Sequence, residues 1–287
     1  MRADGKERTV QAQAMAANMP PLLIAAERVA ATFMSGLHGR RQAGPGEIFW
    51  QFRRYRSGDP VRGIDWRRSA RSDLLYVRER EWQAAQSVFL WCDGSPSMAY
   101  RAQDTRPAKG ERTALVGLAL AVLLARAGER VILLGTRGEP PATLPGLAAH
   151  LARGGLADLP LEAQALARHG QAVLIGDFLD DLATIQKTVR NIAEKGVTGH
   201  LLQVLDPAEE TLPFTGRVRF VGLENEGTVE VRRAEDLRHA YGQRLAEHRA
   251  GVTALTHAFG WTFAVHHTDA PAIEALVSLF TALSRRG

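Results

Sequence analysis

Asp93, Ser95 and Ser97 stand at alternate positions directly after the apolar run Ser87-Val88-Phe89-Leu90-Trp91-Cys92. A short uninterrupted apolar run of this kind reads as a buried strand of a parallel sheet. The carboxylate and the two hydroxyls then lie where the strand stops, at the carboxyl edge where open α/β sheets bind ligands. Carboxylate and hydroxyl oxygens are hard donors, suited to magnesium, manganese or calcium. A second apolar run, Ala172 to Ile175, ends in Gly176-Asp177. If the two strands are neighbours, Asp93 and Asp177 face one another, and a divalent cation would relieve their repulsion. Each residue also has a plainer reading. Ser95 or Ser97 would cap the following helix, and Asp177 would cap a helix from Leu182 onward with Asp180 and Asp181. Asp206 precedes Pro207 and reads as a turn residue.

Positioning these groups requires a strand–helix alternation, and the chain has one. The apolar spacing predicts a helix over 22–37, with Leu22, Leu23, Ala26, Val29, Ala30 and Phe33 on one face. From residue 86 the pattern predicts strands over 88–92, 131–134, 172–175, 200–205 and 261–265. Helices are predicted over 112–127, 144–152, 159–167, 182–194, 234–259 and 271–283, with a hairpin over 217–232. Strands and helices in this order imply a doubly wound, mainly parallel sheet covered on both faces, Rossmann-type in layout. Residues 38–85 mix apolar and charged positions irregularly around a turn at Ser57-Gly58-Asp59-Pro60. They predict a small β-containing subdomain. The organisation expected is a disordered tail at 1–20, an N-terminal subdomain at 21–85 and the α/β domain at 86–287.

Composition narrows the class. The chain is 45% hydrophobic and 23% charged, the balance of a globular protein. Cys92 is its one cysteine, which excludes an intrachain disulfide. Residues 1–21 lack the basic-then-apolar order of a secretory leader. The longest apolar stretch, 114–125, falls short of the ~20 residues that span a bilayer. These features predict a soluble, cytoplasmic protein. The formal charge of +5 is concentrated: residues 40–81 hold eleven arginines and six acids, and the remainder is neutral.

That arginine-rich segment has two readings. Arg53, Arg54, Arg56, Arg62, Arg67, Arg68 and Arg71, interleaved with Phe52, Tyr55 and Trp66, resemble a phosphate-binding surface with stacking aromatics. Against this, Glu47, Asp59, Asp65, Asp73, Glu79 and Glu81 are interspersed, and arginine pairs readily with carboxylates. The second reading is favoured: an internal ion-pair network with Trp66 in its core and Arg62 and Asp65 among its members. Its surplus charge would suit docking to an acidic partner.

The Asp-x-Ser-x-Ser pattern after a first strand resembles the metal-ion-dependent adhesion site of von Willebrand factor type A domains. A longer signature points the same way: Gly46-Glu47, Arg54-Tyr55, Gly58-Asp59, Arg62, Ile64-Asp65-Trp66, Ser69-Ala70-Arg71, Val77-Arg78 and Glu81. Asp177-Phe178-Leu179-Asp180, Asp206-Pro207-Ala208-Glu209, Tyr241 to His248 and Thr268-Asp269 extend it. Over roughly 38–287 the chain is similar to the domain of unknown function 58 family, a branch of the von Willebrand factor A-like proteins. The resemblance implies a binding module rather than an enzyme. It implies a partnership with AAA+ ATPases of the MoxR type, in maturation of proteins or metal cofactors. Arg54, Tyr55, Asp59, Arg62, Asp65, Trp66 and Arg71 would be structural or partner-binding positions.

By the same resemblance Asp93, Ser95, Ser97 and Asp177 would hold magnesium, manganese or calcium. A client's Asp or Glu would complete the coordination. The third element of such sites is a loop threonine. At the corresponding loop, Gly154-Gly155, Leu156 stands in its place. Asp158, Thr136, Thr143 or water are the candidate replacements. Many relatives carry membrane helices ahead of this region, and this chain departs from them.

A metal-dependent hydrolase built on Asp93 and Asp177 is the rival class. The chain has neither a Gly-x-Ser-x-Gly elbow nor a phosphate loop ending in Gly-Lys-Ser/Thr. An aspartate-nucleophile phosphotransferase would carry a second acid where Ser95 stands. His266-His267 closes the last strand, and its members read either as a base or as hydrogen-bonded surface groups.

Overall fold

A computed structural model describes residues 21–38, 50–56, 59, 61, 64–70, 74–80, 86–136, 141–154, 159–160, 166–224 and 227–284. The chain divides into two compact units, residues 35–85 and the rest.

The larger unit is built on five strands: β3 (Ser87–Cys92), β4 (Arg130–Leu133), β5 (Gln171–Gly176), β6 (Thr198–Leu205) and β9 (Thr262–His267). Their spatial order is β4-β3-β5-β6-β9, and every pairing is parallel. This is a mixed α/β, Rossmann-like arrangement, as the alternation predicts. Side chains alternate across it as the pleat demands. Val88, Leu90 and Cys92 of β3, with Val173 and Ile175 of β5, enter one core. Phe89, Trp91, Ala172 and Leu174 enter the other.

Helices cover both faces. α1 (Pro21–His38), α3 (Lys109–Arg126), α4 (Leu144–Leu151) and α8 (Ala272–Ser284) contribute to the first core. α5 (Leu182–Ala193) and α7 (Arg238–Ala258) contribute to the second. α3 is apolar on almost every side because it is buried over most of its length, from Thr113 to Leu124. After β6 come a short helix α6 (Pro207–Thr211) and an antiparallel hairpin, β7 (Val218–Val221) with β8 (Thr228–Val231).

In the smaller unit β1 (Trp50–Arg54) pairs antiparallel with β2 (Tyr76–Arg80), and a single helical turn α2 (Trp66–Ser69) precedes β2. The expected β-containing subdomain is present, but its boundary moves. α1 belongs with the larger unit as far as residue 34, because Leu23, Ala26, Ala30 and Phe33 are buried in the first core. The expected tail at 1–20 lies outside the described residues, as do most of the helix predicted over 159–167 and most of the turn at 57–60.

Strand order decides which loops meet. Ranked along the chain, the strands lie 2-1-3-4-5, so the order reverses between β3 and β5. Connections leave these two strands in opposite directions, which opens a crevice at their carboxyl ends. Gly199 marks a second requirement of the fold. A Cβ there would fall 2.2 Å from the Trp261 ring, which is buried against β6. Gly199→Ala is therefore expected to lower stability by about 3 kcal/mol, the upper range of overpacking. Urea denaturation checks this, and an unchanged midpoint would contradict the packing.

Candidate functional site

The crevice holds Asp93, Ser95, Ser97 and Asp177 together. The Asp93 N–H donates to Ile175 O at 2.8 Å, which continues the parallel ladder one residue past β3. The next residues turn away through the helical turn Pro96–Ala99. Gly176 permits the close approach: a Cβ at this position would lie 2.8 Å from both Cβ and Oδ2 of Asp93. Directly after Asp177, Phe178 takes a left-handed backbone with φ of 47°, uncommon for a bulky residue. Burial of its ring beside Trp91 holds it there, as does the bond from His248 Nε2 to its carbonyl at 2.7 Å. The strained residue thus fixes the direction in which Asp177 leaves the sheet.

The oxygens form a chain. Ser95 N–H donates to Asp93 Oδ1 at 2.8 Å. The Ser95 and Ser97 hydroxyls are 3.0 Å apart, and Ser97 Oγ donates to Asp177 Oδ2 at 2.7 Å. Burial, and then the Asp177 charge, lift the Asp93 carboxyl to about 7. The capping alternatives do not describe these residues. Ser95 makes no side-chain capping bond to the turn it precedes, and Asp177 bonds Leu179 N–H rather than the first turn of α5. Asp206 is the residue that caps. It accepts from Ala208 N–H at 2.9 Å, and Glu209 returns the bond to its own N–H.

One residue that sequence reasoning missed completes the arrangement. Lys109, the first residue of α3, is 1% exposed, and its Nζ donates to Asp177 Oδ2 at 2.9 Å and Glu209 Oε1 at 2.6 Å. Burial disfavours the charged amine, but the Asp177 and Glu209 carboxylates outweigh it and hold Lys109 above the ordinary lysine range. A lysine opening a long apolar helix gives little signal in sequence, because most such lysines are solvated. Its significance is set by the two acids from β5 and α6.

A polar network runs on from Asp177. Gln203, fully buried, donates to the Asp177 carbonyl at 2.7 Å and accepts from Arg249 Nε at 3.0 Å. Arg249 clamps Glu210 through two bonds of 2.5 and 3.0 Å, and His267 Nε2 bonds the same carboxylate. The Arg249 bonds hold Glu210 down to about 2, although partial burial opposes them. Of the expected histidine pair, His267 is therefore a network member. His266 is buried and pushed down to about 4, first by burial and then by Arg112.

Among the described residues no group of three or more His, Cys, Asp or Glu side chains is arranged to hold a metal ion. A cation would therefore depend on two carboxylates and two hydroxyls. Asp158 and Leu156 lie outside the described residues. Thr143 is committed to capping α4, where it accepts from Gly146 N–H at 3.2 Å.

The arginine segment places differently. Arg62 and Arg71 lie outside the described residues. Trp66 is 61% exposed, which overturns its expected place in a core. It begins the one-turn helix α2, and the interior of this unit is filled instead by Ile64, Asp65, Ser69 and Val77. Asp65 is buried, with its N–H bonded to Tyr76 O at 2.8 Å. Asp59 closes a turn by accepting from Arg56 N–H at 2.8 Å, and Tyr55 N–H bonds Leu75 O. Arg54 is exposed.

Two outcomes follow from these pairings. Lys109→Met leaves Asp177 and Glu209 buried without their cation, and stability should fall by about 3–5 kcal/mol. A loss below about 1 kcal/mol in urea denaturation would mean the pair is not held as described. For Glu210, a folded value near 2 against an ordinary 4.5 means that its contribution is present above pH 4.5 and lost as pH falls toward 2. Glu210→Gln should therefore cost about 1 kcal/mol at pH 7, a figure discounted for solvent screening. Its deficit relative to wild type should shrink on acidification through that window. Thermal melts across pH test this, and a pH-independent deficit would assign the loss to packing.

Comparison with known proteins places the chain. It is 26% identical over 263 residues to the uncharacterized protein Mb1516 of Mycobacterium bovis, covering 85% of this chain and 81% of that one. The uncharacterized protein Rv1480 of Mycobacterium tuberculosis matches equally. Among solved structures it is similar to a conserved hypothetical protein, BatB, from Bacteroides thetaiotaomicron, with 16% identity and a TM-score of 0.41. It is also similar to an aerotolerance-related membrane protein from Bacteroides fragilis, with 15% identity and a TM-score of 0.44. Each match covers 70% of this chain and 100% of the other. An uncharacterized membrane spanning protein from Vibrio fischeri matches with a TM-score of 0.19. The expectation of a cytoplasmic protein is withdrawn, since the Bacteroides fragilis and Vibrio fischeri titles name membrane proteins. Among the described residues no helix is long and apolar enough to cross a membrane, and that fact assigns no compartment. The family model described as "Protein of unknown function DUF58" matches residues 51–251, most of the chain, and the chain belongs to that family.

Proposed function

We propose that this chain is a non-enzymatic protein-recognition module of the von Willebrand factor A type, an adaptor that works with a MoxR-type AAA+ ATPase in maturing other proteins or their metal cofactors. The observation that carries this reading is the 2.7 Å bond from Ser97 Oγ to Asp177 Oδ2. It joins the Asp-x-Ser-x-Ser turn after β3 to the aspartate after β5, at the point of the sheet where ligands bind.

The donor set fits a hard divalent cation in kind: two carboxylates and two hydroxyls, with Ser95 and Ser97 oxygens 3.0 Å apart. Asp93, Ser95, Ser97 and Asp177 would hold magnesium, manganese or calcium. Such an ion would supply a Lewis-acid position open to the carboxylate of a partner's Asp or Glu, on the ATPase or on a client. The protein's own residues do the orienting. Ser95 N–H fixes one oxygen of Asp93, Gly176 lets the two carboxylates converge, and the buried strands beneath exclude water from one side of the site.

The test is direct binding to a purified MoxR-type ATPase from the same organism, followed by fluorescence anisotropy. Wild type should bind saturably, and Asp93→Ala and Ser97→Ala should weaken binding about tenfold or more, as expected for residues at the centre of an interface. No binding, or binding indifferent to both substitutions, would overturn the proposal. Metal-dependent turnover of phosphate or ester substrates, lost in Asp93→Ala, would replace it with the hydrolase.

A further inference from the structure

Both carboxylate oxygens of Asp177 already accept hydrogen bonds. Oδ2 accepts the Ser97 hydroxyl at 2.7 Å and the Lys109 ammonium at 2.9 Å. Oδ1 accepts Leu179 N–H at 3.3 Å. An ion that draws on Oδ2 therefore meets an oxygen that carries two donors, one of them a full positive charge.

Lys109 is also tethered. Its backbone N–H bonds Tyr100 O at 3.2 Å and its own residue opens α3, whose body is packed in the first core. The ammonium is covered by protein and anchored on a second carboxylate, Glu209 Oε1, at 2.6 Å. Glu209 is itself fixed, since its other oxygen accepts from Asp206 N–H at 2.9 Å. A tethered cation acts as a competitor at high effective concentration that cannot be diluted away.

We propose that Lys109 is the built-in counter-ion of this site: it neutralises Asp177 in the resting protein, and a divalent ion gains Asp177 only by displacing the ammonium onto Glu209. This rests on the reading of Asp93, Ser95, Ser97 and Asp177 as a cation site. It differs from a simple loss of metal ligands. Affinity for the ion is set by a competing side chain, so removing that side chain strengthens binding. The charge balance agrees in sign. With Asp93 ionised, the carboxylates of Asp93, Asp177 and Glu209 outnumber the single Lys109 ammonium by two charges, which a divalent ion neutralises while the ammonium stays on Glu209.

The experiment titrates Mn2+ alone into metal-stripped full-length protein, with free Mn2+ counted by electron paramagnetic resonance and thermal melting followed in parallel. Lys109→Met should bind Mn2+ about tenfold more tightly than wild type or better, within the ordinary range of coupling between two ligands. Its melting temperature should be raised by Mn2+ more than that of wild type. Lys109→Gln, which keeps hydrogen-bonding capacity without the charge, serves the same purpose if Lys109→Met does not fold. Glu209→Gln leaves Lys109 on Asp177 alone and should weaken Mn2+ binding where wild-type binding is measurable. In each background Asp93→Ala should abolish the site. Equal Mn2+ affinity in wild type and in the neutral Lys109 variants, lost with Asp93→Ala, would overturn the competition and leave the cation site standing. No Asp93-dependent binding in any of them would overturn both.

Discussion

Two buried carboxylates, Asp93 and Asp177, end neighbouring parallel strands, and the carboxyl edge of the sheet is organised around keeping them compatible. Like charges this close and this buried cannot both ionise freely. The protein answers with hydroxyls, backbone N–H groups and one lysine. The burden is uneven. Asp93 receives hydrogen bonds from Ser95 and from the Asp177 backbone, yet burial and the Asp177 charge push it up toward neutrality, whereas Asp177 takes the Ser97 hydroxyl and the Lys109 ammonium. The asymmetry follows from position: α3 begins where Lys109 can reach β5.

The same charges tie the following elements to the sheet. Glu209 and Glu210 are consecutive on α6, yet one meets Lys109 of α3 and the other meets Arg249 of α7. A helix of five residues has little intrinsic stability. Its capping box at Asp206 and its two ion pairs hold it in place. Gln203 then connects Arg249 back to the Asp177 carbonyl. The polar groups of α3, β5, β6, α6 and α7 thus form one network, in which removing a member leaves its neighbours buried and unpaired. Such networks are costly to break and specify a single arrangement when complete.

Under the proposed recognition role this has a consequence. A rigid, satisfied network presents its open face, the Ser95 and Ser97 hydroxyls, in a fixed geometry before any partner arrives. Preorganisation of that kind lowers the entropic cost of association. The exposure of Ser95 and Ser97 is intermediate, while Asp93, Asp177 and Lys109 behind them are buried.

The sequence by itself determined the layers. Apolar runs of strand length, helices between them and the hairpin near 217–232 were legible because periodicity and turn chemistry are local, and the structure places nearly all of them within a few residues. The chemistry-bearing residues of β3 and β5 were legible too, since hydroxyls and carboxylates at strand ends stand out against apolar runs. Tertiary structure decided the rest. It assigned α1 to the sheet rather than to the following unit, because a helix's amphipathic face does not name the surface it covers. It left Trp66 exposed and buried Asp65, because an aromatic in a one-turn helix has no periodicity to reveal its side. Above all it gave Lys109 its partners. Asp177 and Glu209 lie 68 and 100 residues further along the chain. A lysine's charge state and role depend on which carboxylates the strand order brings to it, and strand order is a property of the folded sheet, not of any local stretch of sequence.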